Sequence, residues 1–209
     1  MARLLSVWRG RDVRCLLETA RLWTQPRRRG CYRAGSRETG QRRIMPVIIL
    51  VRHAKAVDRM DAEDDFERGL TERGRADADR AGAALAGAGL KADRALVSPS
   101  RRTRETWARI APALGDPAVD DPMALYHASQ DMLERAAREA FADGAERIVL
   151  VGHNPGIGAF VHGLAAAAGD NQGLPRGWPT AAAAAFAVDA AAPALRARER
   201  VLLFNPKEC

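Results

Sequence analysis

Two histidines and a group of arginines stand directly after apolar runs of the sequence. Arg52 and His53 follow the run VIILV, and His153 follows the run RIVLV after one glycine. A third apolar run, RALVS, is followed by Pro99 and then by the Arg-rich stretch SRRTRET at 100–106. Guanidinium groups bind phosphate oxygens through paired N–H donors, and a helix N-terminus adds backbone donors. These residue types therefore predict a pocket for a phosphate dianion.

The chemistry expected of such a pocket is phosphoryl transfer through histidine. A histidine beside several guanidinium groups has a depressed pKa, because neighbouring positive charge disfavours the imidazolium. It is then neutral near pH 7 and able to attack phosphorus as a nucleophile. The arginines and a second, protonated histidine would stabilise charge on the equatorial oxygens as the phosphoryl group moves. Because these cations are built in, no metal and no other cofactor is expected.

The polar clusters can meet only if the strands before them are parallel neighbours. The runs at 47–51, 94–98 and 147–151 are short, continuous and apolar, which is typical of buried strands. Two later apolar segments, 181–189 and 198–206, predict an antiparallel hairpin. In a largely parallel sheet, ligands bind beyond the carboxyl ends of the strands. We therefore expect all three polar clusters at one sheet edge.

Helical patterns lie between and after the three buried runs. One covers 70–89 with Thr71 as its N-cap, another opens at Pro99, a third covers 131–145, and a fourth runs from Pro155 to about Ala168. Alternation of continuous apolar strands with helices predicts an α/β fold. The expected architecture is a three-layer sandwich, with a mostly parallel sheet and helices on both faces.

The motifs LVRHAKA, SPSRRTRET and VGHNPG, in this order, resemble those of the histidine phosphatase superfamily, also called the phosphoglycerate mutase-like or RHG superfamily. The resemblance is closest to its small SixA-type branch of phosphohistidine phosphatases. The segments DFERGLTERGRADA at 65–78 and LYHAS at 125–129 also resemble features of that branch, so the likeness extends over nearly all of 47–206. It implies a phosphoglycerate mutase-like fold and a metal-independent hydrolase that forms a covalent phosphohistidine.

The resemblance implies roles for the histidines and for the arginine between the strands. Arg52 and His53 match the RH pair, which makes His53 the phosphorylated nucleophile and Arg52 a phosphate ligand. His153 matches the second histidine of the pocket. In the pattern S-P-x-x-R, counting from Ser98 leads to Arg102, which would bind phosphate.

The segment DFERGL supplies two further candidates. Arg68 resembles an additional pocket arginine that would bind substrate, and Asp65 is the candidate proton donor. Other polar residues near the motifs favour structural interpretations. Arg101 and Arg104 are interpreted as solvated helix charges, His162 as a surface or packing residue, Tyr126 and Trp107 as core residues, and His127 as a residue that could border the pocket.

The sequence departs from the family pattern at three points. Ala54 stands where the superfamily's name has glycine, and Gly69 replaces a proline, which would loosen the loop that carries Arg68. There is also no counterpart of the glutamate that acts as general acid in the mutases. Phosphoramidates such as phosphohistidine depend less on a strong enzyme acid, because their P–N bond is more labile. The expected substrate is therefore protein phosphohistidine, with a histidine-phosphotransfer protein as a possible partner.

Alternative functions remain open at this level. A small phosphomonoester could be the substrate of the same chemistry, and a non-catalytic phosphate-binding domain on this fold is a second class of function. A zinc hydrolase is disfavoured, because the sequence has no H-E-x-x-H and no paired cysteines. No G-x-x-x-x-G-K or G-x-G-x-x-G follows a strand, which disfavours nucleotide-binding folds.

The net charge of +7 is concentrated in the first 44 residues. Residues 1–44 hold 12 Arg and three acidic residues, a net charge of +9, whereas 45–209 hold 21 basic and 23 acidic residues, a net of −2. The expected organisation is a basic extension at 1–44 and a histidine phosphatase domain at 45–209. The extension is interpreted as a disordered tail, a targeting segment or the result of a start placed before Met45. Nucleic acid is not an expected partner.

The three cysteines, Cys15, Cys31 and Cys209, form no framework for disulfides or zinc. A reducing, cytoplasmic setting is the simplest expectation. The longest apolar run is far shorter than the roughly 18 residues of a membrane span, so no membrane is expected as a partner.

Overall fold

The computed structural model describes residues 45–208, and the predictions made for 1–44 lie outside these residues. Four α-helices and six strands follow one another along this part of the chain. They are β1 (Val47–Arg52), α1 (Glu72–Gly87), β2 (Arg94–Val97), α2 (Arg101–Leu114), β3 (Ala118–Asp120), α3 (Gln130–Ala142), β4 (Arg147–Gly152), α4 (Gly156–Ala168), β5 (Ala183–Asp189) and β6 (Arg196–Phe204).

The six strands form one sheet in the order β3-β2-β4-β1-β5-β6. The first four are joined by parallel pairs, whereas β5 pairs antiparallel with both β1 and β6. The predicted mostly parallel sheet and the predicted hairpin are therefore confirmed. In the central pair, Arg52 of β1 lies opposite Gly152 of β4, so His53 and His153 follow at the same edge.

Helices cover both faces of the sheet, as the continuous apolar strands predicted. Because side chains alternate along a strand, Ile48 and Leu50 of β1 face one side and Ile49 and Val51 face the other. The first face packs against α3 and α4, and the second packs against α1 and α2. Trp107 lies in the second cluster and is only 9% exposed, as expected of a core residue.

Local signals account for most element boundaries. Thr71 caps α1 by accepting a hydrogen bond from the backbone N–H of Gly74, as predicted. Helix α2 begins at Arg101 with Ser100 in the N-cap position, two residues later than the predicted start at Pro99. The short strand β3 was not predicted, because its three residues are not buried and carry no apolar pattern. No helix within residues 45–208 is long and apolar enough to cross a membrane.

Candidate active site

The ring of His53 is fixed at the edge of the sheet by its own backbone and by that of Ala54. The backbone N–H of His53 donates to the carbonyl of Gly152 at 3.0 Å, which extends the β1–β4 pairing past the end of β1. Its Nδ1 lies 2.8 Å from the carbonyl oxygen of Ala54. A carbonyl can only accept, so Nδ1 carries the hydrogen, and the lone pair remains on Nε2. This tautomer suits a nucleophile.

Burial and positive charge keep His53 neutral. They lower the pKa of His53 to about 3, with burial as the largest cause. The charges of Arg102, Arg52 and Arg68 lower it further, and the hydrogen bond to Ala54 acts in the opposite direction. The depressed pKa expected from the sequence is therefore present, but removal from water contributes more to it than the arginines do.

Ala54, which stands where the superfamily's name has glycine, is accommodated without strain. Its side chain is fully buried in a small apolar cluster with Leu70, Ala78 and Ala181. Its backbone N–H donates to the hydroxyl of Thr106 at 3.0 Å. Helix α2 thus fixes the chain immediately after the predicted nucleophile.

His153 lies beside His53, and the centroids of the two rings are 5.0 Å apart. Its Nε2 is 2.7 Å from the hydroxyl oxygen of Ser98, whereas its buried Nδ1 has no partner among the described residues. When the hydroxyl of Ser98 donates to Nε2, Nδ1 carries the hydrogen and can donate to a ligand. The S-P-x-x-R motif therefore also contributes a hydroxyl that orients the second histidine.

The sequence led us to expect a protonated second histidine, and the structure corrects this expectation. Burial lowers the pKa of His153 to about 3, and the nearby His53 and Arg102 lower it further. The ring is therefore neutral near pH 7. It can act as a hydrogen-bond donor through Nδ1, while the positive charge of the pocket comes from other residues.

Arg102 is a buried arginine in the first turn of α2, with only 5% of its surface exposed. Its Nη1 donates to the backbone carbonyl of Asp65 at 2.5 Å, and its Nη2 donates to the carboxylate Oδ2 of Asp65 at 3.0 Å. Arg52 is held differently, because its Nη1 donates to the carbonyl of Trp178 at 2.5 Å in the loop before β5. The buried Nε of Arg52 has no partner among the described residues.

Asp65 holds two other candidate site residues, Arg68 and Arg102, in place. Its Oδ1 accepts from Nη1 of Arg68 at 2.9 Å, and its Oδ2 accepts from the hydroxyl of Tyr126 at 2.7 Å as well as from Arg102. The Tyr126 and Arg68 hydrogen bonds are the main causes that hold the pKa of Asp65 well below its usual range. A carboxylate held ionised in this way is poorly suited to donate a proton. The geometry favours a positioning role for Asp65 over the predicted role of proton donor.

Tyr126 is a half-buried residue that packs beside the site, and not the core residue that the sequence suggested. Its ring contacts Phe66, His127 and His153, with centroid separations of 5.1, 4.0 and 5.7 Å. The signal for this role was weak, because a tyrosine in LYHAS looks like any half-buried aromatic residue.

The predicted cationic residues and histidines line one open pocket of about 250 Å³. Its lining residues are Arg52, His53, Lys55, Ala56, Arg68, Arg102, His127, His153, Asn154 and Thr180. Five of the six predicted site residues are among them, and the sixth, Asp65, is hydrogen-bonded to Arg68 and Arg102. No carboxylate occurs in this lining set, so the four lysine and arginine side chains give the pocket a strong positive charge.

The sequence-based assignment missed three polar lining residues, Lys55, Asn154 and Thr180. Lys55 and Asn154 each lie within two residues of a predicted histidine, which is a signal that could have identified them. Thr180 lies in the loop before β5, far from any motif, and only the fold brings it to the pocket.

The loop that carries Arg68 is well anchored, contrary to the expectation drawn from Gly69. The Nε of Arg68 donates to the carbonyl of Val57 at 2.8 Å, and the N–H of Val57 donates to the carbonyl of Gly69 at 3.0 Å. Glu105 of α2 accepts from the N–H of Leu70 at 2.8 Å. These hydrogen bonds replace the stiffness that a proline would supply.

The remaining polar residues near the motifs behave as the sequence suggested. Arg101 and Arg104 are exposed and pair with Glu105 and Asp121 at 2.8 and 2.7 Å. His162 does not line the pocket, whereas the exposed His127 does. Among the residues that the structure describes, no group of three or more His, Cys, Asp or Glu side chains could hold a metal ion.

Comparison with known proteins places this arrangement in a family context. Residues 48–124 match the family model described as the histidine phosphatase superfamily (branch 1). No match is found among curated protein sequences.

Solved structures share the fold over most of the chain. A protein from Agrobacterium tumefaciens assigned as the phosphohistidine phosphatase SixA is 26% identical, with a TM-score of 0.63 over 75% of this chain and 97% of its own. A Nakamurella multipartitia protein with the same assignment is 25% identical, with a TM-score of 0.61 over 77% and 96%. A structure of the protein histidine phosphatase SixA complexed with tungstate, 21% identical, superposes with a TM-score of 0.63 over 78% and 98% and supports the fold alone.

Proposed function

We propose that the chain is a phosphatase of the histidine phosphatase superfamily whose substrate is phosphohistidine in a protein, and that His53 carries the phosphoryl group during the reaction. The proposed partner is a histidine-phosphotransfer protein, and the proposed catalytic domain is 45–209. Arg52, Arg68, Arg102 and His153 are the proposed phosphate ligands.

The observation that carries this proposal is the size and charge of the pocket. Pockets that enclose a small-molecule ligand measure about 300–1,000 Å³. A pocket of about 250 Å³ with four cationic side chains accommodates a phosphoryl group and leaves most of its carrier outside. This favours a substrate whose phosphoryl group protrudes from a larger surface, as in a phosphorylated protein.

The proposed reaction has two steps, with His53 as the nucleophile in the first. Its Nε2 attacks phosphorus, the P–Nε2 bond forms and the P–N bond to the substrate imidazole breaks. The substrate imidazole takes up one proton from solvent on its other ring nitrogen, so it departs as a neutral imidazole. In the second step, water attacks phosphorus, the bond to Nε2 breaks, and inorganic phosphate and one proton are released.

The cationic side chains supply the electrostatic part of the catalysis. Arginine donors placed around the equatorial oxygens stabilise negative charge as the phosphoryl group passes between two nitrogens. The N–H at Nδ1 of His153 adds a neutral donor. Because the donors are fixed by hydrogen bonds to Trp178, Val57 and Asp65, little reorganisation is needed during the reaction.

The leaving group distinguishes phosphohistidine from an alkyl phosphate. No carboxylate lines the pocket in the described part of the chain, so an alkoxide would leave without a carboxylic acid in the lining to protonate it. An imidazole is a much better leaving group. This supports a phosphoramidate substrate over an ordinary phosphomonoester.

The test is hydrolysis of a substrate panel by the protein and by its His53→Ala variant. We expect the protein to hydrolyse para-nitrophenyl phosphate, whose leaving group is good, and to prefer phosphohistidine proteins over sugar and nucleotide phosphates. The variant should lose both activities. Intact-mass spectrometry should detect an acid-labile phosphoryl group on the wild-type protein and not on the variant. Activity that survives His53→Ala would overturn the nucleophile assignment, and a preference for small phosphomonoesters would replace the proposed substrate.

A further inference from the structure

A second groove adjoins the active-site pocket. The groove, which we term the basic annex, has a volume of about 360 Å³ and shares Arg52, Lys55 and Thr180 with the pocket. Its other polar lining residues are Arg73, Asp77 and Lys207. The shared residues form a common wall between the two cavities, so a ligand group in the annex would lie next to one in the pocket.

The charge of the annex is positive. Four of its side chains are cationic, and the lining set has one carboxylate, that of Asp77. This carboxylate is shared between Arg80, a residue outside the lining set, at 2.7 Å and the exposed Arg73 at 3.8 Å. The nearest pairing of Lys55 is a 3.7 Å contact with the exposed Asp58. The annex therefore offers cationic groups whose charge is incompletely neutralised by the protein.

Hydrogen bonds to backbone carbonyls fix the segments that carry the cationic residues of the annex. The carbonyl of Lys55 accepts from the N–H and the hydroxyl of Thr71 at 2.9 and 3.1 Å, which joins the chain after His53 to the start of α1. Arg73 lies in the first turn of that helix. At the other side, Arg80 of α1 donates to the carbonyl of Pro206 at 3.1 Å, which fixes the segment carrying Lys207.

We propose that the basic annex binds the carboxylate of an acidic residue that neighbours the phosphohistidine on the substrate protein. The inference rests on the proposed function and adds a determinant of substrate choice. The pocket takes the phosphoryl group and leaves the carrier polypeptide outside, where the annex is the adjoining cationic surface. Arg73 and Lys207 are the specificity-determining residues, because they line the annex and not the pocket.

The experiment uses two phosphohistidine peptides that differ only in their flanking residues, either Asp and Glu or Asn and Gln. The variant is the double substitution Arg73→Gln and Lys207→Gln. The matched control is Arg135→Gln with Lys91→Gln, which removes the same charge at exposed positions outside both cavities. Hydrolysis of para-nitrophenyl phosphate, which has no second anionic group, reports the intact active site.

We expect the annex variant to lose about three- to tenfold in kcat/KM on the acidic peptide, since exposed ion pairs contribute modestly. Its activity on the neutral peptide and on para-nitrophenyl phosphate should be unchanged, as should all activities of the control. The charge-reversed pair Arg73→Glu and Lys207→Glu should invert the preference between acidic and neutral peptides.

Equal losses on both peptides, or no loss on the acidic one, would overturn the role of the annex. A wild-type protein that hydrolyses para-nitrophenyl phosphate but neither peptide would overturn the proposed substrate instead. The two failures are therefore distinguishable.

Discussion

At the scale of single residues, the site depends on one carboxylate that is not among the residues lining the pocket. Asp65 receives hydrogen bonds from Arg68, Arg102 and Tyr126, so it fixes two of the four cationic groups. Arg102 is almost fully buried, and a buried guanidinium without its carboxylate is costly. The alignment of two proposed phosphate ligands therefore depends on a residue outside the pocket lining.

We expect Asp65→Asn to lower kcat/KM about 100-fold, because Arg102 loses its ionic partner and Arg68 loses a negatively charged hydrogen-bond acceptor. If Asp65 only positions the arginines, the loss is equal for para-nitrophenyl phosphate and for phenyl phosphate, whose leaving group is poorer. A loss that grows strongly as the leaving group becomes poorer would instead identify Asp65 as the proton donor. Steady-state kinetics on the two esters measures the difference.

Tyr126→Phe removes only the hydroxyl that donates to Asp65 and retains the aromatic contacts with His153. One hydrogen bond to a charged group contributes about 1.5–3 kcal/mol at most, and Tyr126 is partly exposed. We expect a three- to tenfold rise in KM with little change in kcat. An unchanged KM would show that the hydroxyl does not contribute to the alignment of the arginines.

At the scale of elements, the start of α1 is pressed against the chain that follows His53. A Cβ added at Gly74 would lie 2.0 Å from the carbonyl oxygen of Lys55, a distance that backbone atoms do not tolerate. That carbonyl also accepts from Thr71, so the helix cannot move away without breaking two hydrogen bonds. The close approach connects the stability of α1 to the geometry of the site.

We expect Gly74→Ala to destabilise the protein by about 2–4 kcal/mol and to lower activity, because the backbone after His53 must shift. The matched control is Gly87→Ala in the last turn of the same helix, where an added Cβ meets nothing within 4 Å. That substitution should stabilise the protein by about 0.5–1 kcal/mol. Urea unfolding of the two variants measures both effects, and equal stabilities would contradict the predicted clash.

The elements could be predicted from the sequence wherever a periodic apolar pattern was long enough. The buried runs before Arg52, before Pro99 and before His153 identified the three central strands, and their polar ends identified the edge. Strand β3 could not be predicted, because it is short and not buried. The contact of Trp178 with Arg52 and Asn154 could not be predicted either, because Trp178 accepts their hydrogen bonds through a backbone carbonyl that any residue would supply.

At the scale of the whole molecule, the two neutral histidines connect folding stability to pH. An unfolded histidine has a pKa of about 6.5, whereas burial lowers the pKa values of His53 and His153 to about 3. Between these values the unfolded state binds more protons than the folded state. Their contribution to the free energy of unfolding is therefore complete above pH 6.5 and is lost as the pH falls toward 3.

We expect the protein in phosphate-free buffer to lose stability between pH 7 and pH 5, by about 1.4 kcal/mol per pH unit for each histidine at most. The variant His153→Asn cannot titrate, so its loss over the same interval should be smaller by about 1–2 kcal/mol. Urea unfolding at the two pH values gives the comparison. Equal losses in both proteins would show that His153 titrates normally.

The residue types that form the site were predictable from the sequence. The protonation of its histidines and the residues that support its arginines were not. Residue types and strand ends located Arg52, His53 and His153 because these lie within local motifs. The neutral state of His153 and the role of Tyr126 depend on burial and on contacts between distant segments, which no local pattern contains.

A lining without carboxylates has a consequence for turnover. The pocket attracts any small dianion, and the product of each cycle is inorganic phosphate, which satisfies the same donors as the transferred group. We expect phosphate to inhibit competitively, and its departure to limit the rate when the chemical steps are fast. Burst kinetics followed by a slower steady state, with the slow phase insensitive to the leaving group, would demonstrate this. An enzyme of this design responds to the phosphate level of its surroundings without a separate regulatory site.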